Sequence, residues 1–176
     1  MGSSAITRTG GSTALHMLGI YLNDHLAGAT AGVELSRRIA HEYRHSRLGG
    51  ELERLADEIA QDRESLLRIM DALGVPARRY KIYGGWVGER IGRLKPNGRL
   101  RRRSGLSTVI ELEGMRLGVE GKSLLWRTLE TAAAGEPRLD TDQIHELLDR
   151  ARRQIEALES LRISAVSAIL TPAPEE

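Results

Sequence analysis

Residues 76–105 read PARRYKIYGGWVGERIGRLKPNGRLRRRSG. The stretch separates two segments of similar design, each of which reads as a pair of long helices. Connections within helical bundles usually take about 2–8 residues, so this one is too long for a simple bend. It reads as a crossover that returns along the bundle, with an inserted subdomain in an up-down-up-down bundle as the competing reading, and its course sets the topology. It is also the most basic part of the chain. It carries Arg78, Arg79, Lys81, Arg90, Arg93, Lys95, Arg99, Arg101, Arg102 and Arg103 against the single acid Glu89, and it holds Tyr80, Tyr83 and Trp86. Gly84-Gly85 and Pro96-Asn97-Gly98 are turn signals. Between them, Trp86 to Leu94 predicts a short helix with Trp86, Val87, Ile91 and Leu94 packed against the bundle.

Outward from the crossover, apolar residues recur at alternating spacings of three and four, the signature of a helix with one buried face. Towards the N-terminus, Leu52, Leu55, Ile59, Asp62, Leu66, Ile69 and Leu73 predict a helix over about 50–73, with Gly74 and Pro76 as its stop. Gly49-Gly50 reads as the turn before it. Leu15, Leu18, Leu22, His25, Ala29, Gly32, Ser36, Ile39 and Tyr43 predict a first helix over about 13–44, with Ser12 as N-cap. Gly28 and Gly32 in its middle cost about 1 kcal/mol each against Ala, which predicts the close approach of another helix. Beyond the crossover, Ile110, Glu113, Leu117, Glu120 and Leu124 predict a helix over about 107–133, with Gly114, Gly118 and Gly121 alongside. Thr108 and Glu111 have the spacing of a capping box. Asp140 opens a last helix over about 140–170 on Ile144, Leu148, Ala151, Ile155, Leu158, Arg162, Ala165 and Ile169. Residues 1–12 and 171–176 read as disordered ends.

The chain has 176 residues, no Cys and no Phe. That length suits one domain with a sizeable core, here residues 13–170, built from Leu, Ile, Val and Ala. Without Cys there is no disulfide, thiolate metal site or Cys nucleophile. No apolar run has signal-peptide or membrane-span length, so the expectation is a soluble cytoplasmic protein with no membrane partner. Three Lys beside 23 Arg suit a GC-rich bacterial genome. The net charge of +2 hides an asymmetry: the crossover carries +9, so the rest of the chain carries −7. A basic segment on an acidic body can dock on its own helices or reach an external anion.

Five ionisable residues stand on the seams: His25, Asp62, Glu113, Glu120 and Arg162. An unpaired buried charge is expensive, so each needs a partner. Asp62 and Glu120 lie near the middles of their helices and at similar height. Two such carboxylates are held by a cation or share a proton, and Arg152 is one source of positive charge. Glu113 and Arg162 predict a core salt bridge.

Two hairpins joined by a long crossover, with inward carboxylates, resemble the ferritin-like superfamily over roughly Leu15 to Leu170. The resemblance implies an all-α four-helix bundle with a long basic crossover between helices 2 and 3. It also implies a di-iron or di-manganese centre, for which Asp62 and Glu120 are the available residues. The ligand motif departs from that pattern. Helix 2 carries Glu58-Ile59-Ala60-Gln61 and Asp62 with no His. Helix 4 has Asp142-Gln143-Ile144-His145 at its extreme start, and Glu42-Tyr43-Arg44-His45 lies at the end of helix 1.

Gly121-Lys122-Ser123 has the ending of a phosphate-binding loop, but Arg116 stands where the first Gly belongs and no strand precedes it. His41 and His45 share a helix face at metal-ligand spacing. The leading expectation is a non-enzymatic structural or interaction protein on a ferritin-like bundle that has lost its metal centre, self-associating as a homodimer or binding a protein partner. One alternative is a di-metal carboxylate oxidoreductase or metal-binding protein at Asp62 and Glu120. The other is nucleic-acid or polyanion binding through Arg78, Arg79, Lys81, Arg99, Arg101, Arg102 and Arg103, with the aromatics as stacking planes.

Overall fold

The computed structural model describes residues 6–78 and 105–170, with side chains from residue 13 onward. They form helices α1 (Ile6–Tyr43), α2 (Gly49–Ala72), α3 (Gly105–Ala133) and α4 (Thr141–Leu170), with no strand among the described residues. The architecture is all-α. The short helix expected over Trp86–Leu94, the tail 171–176, and Arg79, Lys81, Arg99, Arg101, Arg102 and Arg103 lie outside the described residues.

α2 follows its sequence pattern closely. Leu52, Leu55, Ile59, Asp62, Leu66 and Ile69 are all buried, as is Leu73 at its C-cap. Burying one such aliphatic side chain contributes about 1.5–3 kcal/mol. The helix stops at Gly74, whose φ of 69° is left-handed. Gly74 N–H bonds Asp71 O at 2.9 Å and Val75 N–H bonds Met70 O at 2.8 Å. This pair of bonds is the Schellman arrangement that a C-terminal Gly permits. α4 starts on Asp140, whose Oδ1 accepts from the N–H groups of Asp142 and Gln143 at 3.0 and 3.1 Å. That satisfies two donors the first turn leaves free.

α1 differs at its start. It begins at Ile6 rather than near residue 13, so Ser12 lies inside the helix and not at its N-cap position. Gly10 and Gly11 weaken a helix, but both keep an N–H and neither breaks it as Pro would. The α1–α2 turn uses residues 44–48, and Gly49 is already helical. A Cβ on Gly49 would stand 2.7 Å from Tyr43 O and 2.8 Å from Arg44 O. Only Gly fits where the two chain segments meet.

Side-chain pairs fix the helix directions. Tyr21 Oη meets Thr128 Oγ1 at 3.1 Å, Arg38 meets Glu111 at 3.6 Å, and Tyr43 meets Thr108. Numbers rise on α1 as they fall on α3, so these helices are antiparallel. Asp62–Arg150 and Glu58–Gln154 show the same for α2 and α4. α1 and α2 form one hairpin and α3 and α4 the other. Hence α2 and α3 run parallel, and the end of α2 and the start of α3 lie at opposite ends of the bundle. Arg138, in the α3–α4 turn, donates to Leu73 O at 2.9 Å and ties the two hairpins together at one end.

Two expectations about packing are corrected. On α3 the buried face is Val109, Leu112, Met115, Val119, Trp126 and Leu129, while Leu117 and Leu124 are 69% and 58% exposed. The helix offers two apolar stripes, and the bundle buries the one that carries the bulkier Met115 and Trp126. The glycines of α1 and α3 do not mark tight packing among the described residues either. A Cβ on Gly28, Gly32, Gly114, Gly118 or Gly121 would meet no described atom within 4 Å. They line an opening between α1 and α3.

Candidate functional site

The centre of the bundle holds five linked polar side chains from three helices. Asp62 on α2 is 1% exposed, and Gln154 on α4 equally so. Lys122 on α3 reaches Asp62 Oδ2 with its ammonium and also donates to Gln154 Oε1. The amide of Gln154 donates to Asp62 Oδ2 at 3.2 Å and to Glu58 Oε2 at 2.9 Å. Arg150 on α4 places Nε 2.7 Å from Asp62 Oδ1. That approach is a charge contact without hydrogen-bond alignment, because neither atom has a hydrogen-bond partner. Arg150 Nη1 donates to Gln61 Oε1 at 3.3 Å.

Each helix contributes by its period. Asp62 occupies a seam position of α2 between Ile59 and Leu66. Gln154 follows Ala151 on the buried face of α4, and Arg150 sits at the flank of that face. Lys122 lies on the true buried stripe of α3, in the series Met115, Val119, Lys122, Trp126 with steps of four, three and four. Burial lowers the Lys122 amine from its ordinary value, with Asp62 acting in the opposite sense. One carboxylate therefore bridges two cations, and Gln154 relays between it and Glu58.

Asp62 and Glu120 are not brought together. Glu120 stands on the flank of α3, 45% exposed in its side chain, and pairs with Arg116 at 3.6 Å. Asp62 faces Lys122 and Arg150 instead. Arg152, read as its possible counter-charge, pairs with Asp149 at 2.7 Å in solvent. Arg162 comes within 3.9 Å of Glu113, whose side chain is half-exposed, so that contact lies at the rim and not in the core. The closer partner of Arg162 is Glu159, at 2.6 Å. This pairing lowers the pKa of Glu159 and raises that of Arg162. Gly121-Lys122-Ser123 is helix interior. His41 and His45 are exposed at the end of α1. Among the described residues, no three His, Asp or Glu side chains gather as a metal site.

Arg150, Gln154 and Lys122 are site residues that sequence reasoning did not place, and for Lys122 a signal existed. The Met115–Val119–Lys122–Trp126 spacing carried the signal, but the competing Leu117–Leu124 stripe masked it. Of the basic residues of the crossover only Arg78 is described. Its backbone N–H bonds Asn23 Oδ1 at 2.7 Å, and Asn23 Nδ2 bonds Pro76 O at 3.2 Å, so the crossover leaves α2 pinned to α1. Among the described residues no helix is long and apolar enough to cross a membrane. Comparison of the chain with protein-family models, curated proteins and solved structures found no match.

Proposed function

We propose that this chain is a non-enzymatic structural or interaction protein on a ferritin-like bundle, with protein side chains holding the charge that a metal would otherwise balance. The observation that carries this reading is the Asp62 cluster. A mid-bundle carboxylate needs a cation, and here Lys122 and Arg150 supply it. The parallel course of α2 and α3, which requires a full-length crossover, supports the ferritin-like part of the proposal. A cytoplasmic bacterial protein that pairs as a homodimer is the setting proposed with it.

The test is metal content after purification without chelators and after incubation with iron, manganese or zinc. The expected result is far below one metal per chain. Near-stoichiometric metal that disappears in Asp62→Ala/Glu120→Ala would instead establish the di-metal carboxylate reading.

The charge asymmetry favours a second reading, in which the +9 crossover binds nucleic acid or another polyanion. Such binding weakens steeply with salt. It should be lost on replacing Arg101, Arg102 and Arg103 with Ala. Binding that is absent at low salt, or unchanged in that variant, would exclude this reading.

A further inference from the structure

α2 ends and α3 begins on opposite corners of the bundle as well as at opposite ends. α1 packs on both α2 and α3. α4 packs on α3 and meets α2 through Arg150 and Gln154. α2 and α3 are therefore diagonal, and the chain between them passes over α1 or over α4. The residues that leave α2 select α1. Val75 lies against Gly19, with Cγ1 3.4 Å from where a Cβ would stand. Pro76 O accepts from Asn23 Nδ2 at 3.2 Å, and the Arg78 N–H donates to Asn23 Oδ1 at 2.7 Å. The Tyr21–Thr128 and Arg38–Glu111 contacts place Asn23 level with Trp126 on α3.

From that point the course to Gly105 lies across α1 and along the face between α1 and α3. This face offers apolar surface. Leu117 and Leu124 stand exposed on it, beside the glycine-lined opening, a cleft of about 360 Å³ with Ile59 and Leu66 at its floor. Glu113 and Glu120 flank the two leucines, half-exposed, and meet Arg162 and Arg116 only at 3.9 and 3.6 Å. The sequence of residues 79–104 complements both features. It holds nine basic residues against Glu89, and Trp86, Val87, Ile91 and Leu94 recur at helical spacing. The glycines alone would name no occupant, but the direction in which the chain leaves α2 does.

We propose that residues 79–104 cross over α1 and dock on the α1–α3 face, with Trp86–Leu94 helical, antiparallel to α3, and seated on Leu117 and Leu124. The lengths agree. A helix is about 10–12 Å across, and the eight residues from Arg78 to Trp86 reach about 26 Å when extended. Val87 and Leu94 are seven residues apart, as are Leu117 and Leu124, so the two apolar stripes match over about 10.5 Å. Val87 then meets Leu124, Leu94 meets Leu117, and Arg90 comes level with Glu120. From Leu117 back to Gly105 is about 18 Å along α3, well within the reach of residues 95–104. The contact is with the outer leucines, and the glycines stand below it. Arg99, Arg101, Arg102 and Arg103 fall beyond the leucine pair and take no part in it.

The test is disulfide trapping in the full chain, which has no Cys of its own. A disulfide needs Cα atoms about 4.4–6.8 Å apart. Val87→Cys/Leu124→Cys and Leu94→Cys/Leu117→Cys should each close an intrachain bond on mild oxidation. Both should close at least about tenfold faster than Val87→Cys/Glu156→Cys, whose second position is exposed on α4. Equal closure with position 156 would put the connection over α4 and overturn the proposal. Bonds formed between chains would show a second copy on the leucines, and failure of both pairs would leave them bare; either result also overturns it. Leu117→Ser/Leu124→Ser supplies a second measurement. It should lower the melting temperature by about 5 °C or more at unchanged solution mass. A melting temperature that does not move, as for two leucines in water, would overturn the proposal, as would a fall in solution mass. None of these readouts depends on metal content or on Arg101, Arg102 and Arg103, so the outcome is separate from both functional readings above.

Discussion

Asp62 is held by Lys122 and Arg150, whose side chains are 13% and 24% exposed. Removing the carboxylate leaves an ammonium with little access to water. Asp62→Ala should therefore cost about 3 kcal/mol in urea unfolding, the low end for a broken buried pair because Arg150 can turn outward. Asp62→Leu/Lys122→Met removes both charges and should recover most of that loss. A single variant that costs under about 1 kcal/mol would show that the cluster does not hold the centre together. His25 sets a second residue-scale expectation. Burial lowers its pKa from 6.5, more than Asp24 raises it. The unfolded chain then takes up this proton at higher pH than the folded one. The stability linked to neutral His25 is present above pH 6.5 and is lost as pH falls through the lowered value. Unfolding measured from about pH 7 to about pH 5 should show a smaller acid-side loss in His25→Asn than in the wild type.

At the scale of the element, glycines have opposite roles in different helices. In α3, Gly114, Gly118 and Gly121 are interior helix positions whose added Cβ would meet nothing among the described residues. Each substitution to Ala should stabilise by about 1 kcal/mol through helix propensity alone. A thermal melt that moves down for Gly118→Ala would mean that something covers the stripe. At the two ends of α2 the sign reverses. Gly49→Ala would press a methyl against two backbone carbonyls, and Gly74→Ala would force an L-residue to φ 69°. Gly74→Ala should cost about 1–2 kcal/mol, and Gly49→Ala should cost more because backbone rather than a side-chain end must move. Gly49 and Gly74 were legible as punctuation, since both lie beside the ends of an apolar series. The role of the α3 glycines was not legible. The same spacing fits a helix pressed on its neighbour and a helix standing away from it.

For the whole molecule, the testable feature is that α2 and α3 run parallel. Spin labels at Asp71 and Glu136 should read a short distance, because Arg138 bonds Leu73 O at that end. Labels at Asp71 and Leu106 should read roughly 40 Å, close to the length of α3 at helical rise. An up-down-up-down bundle would reverse the second result, bringing the start of α3 beside the end of α2. The crossover length pointed towards the parallel arrangement, since 30 residues suffice to return along the bundle and few shorter paths need them.

By itself the sequence determined the number and approximate bounds of the four long helices, the buried face of α2, the caps at Gly74 and Asp140, and the need for a charge partner at Asp62. These follow from local chemistry: the helical period, the left-handed freedom of Gly, the reach of an N-cap carboxylate and the cost of a buried charge. Only the tertiary structure decided which α3 stripe faces inward. With it came the choice of Lys122 over Glu120 as the group that meets Asp62, and the exposed placement of Glu113. Residues two apart on a helix point about 200° away from each other. A rotation of α3 by one stripe therefore exchanges a carboxylate for an ammonium at the bundle centre, and that rotation is set by how Trp126 and Met115 pack against the other helices.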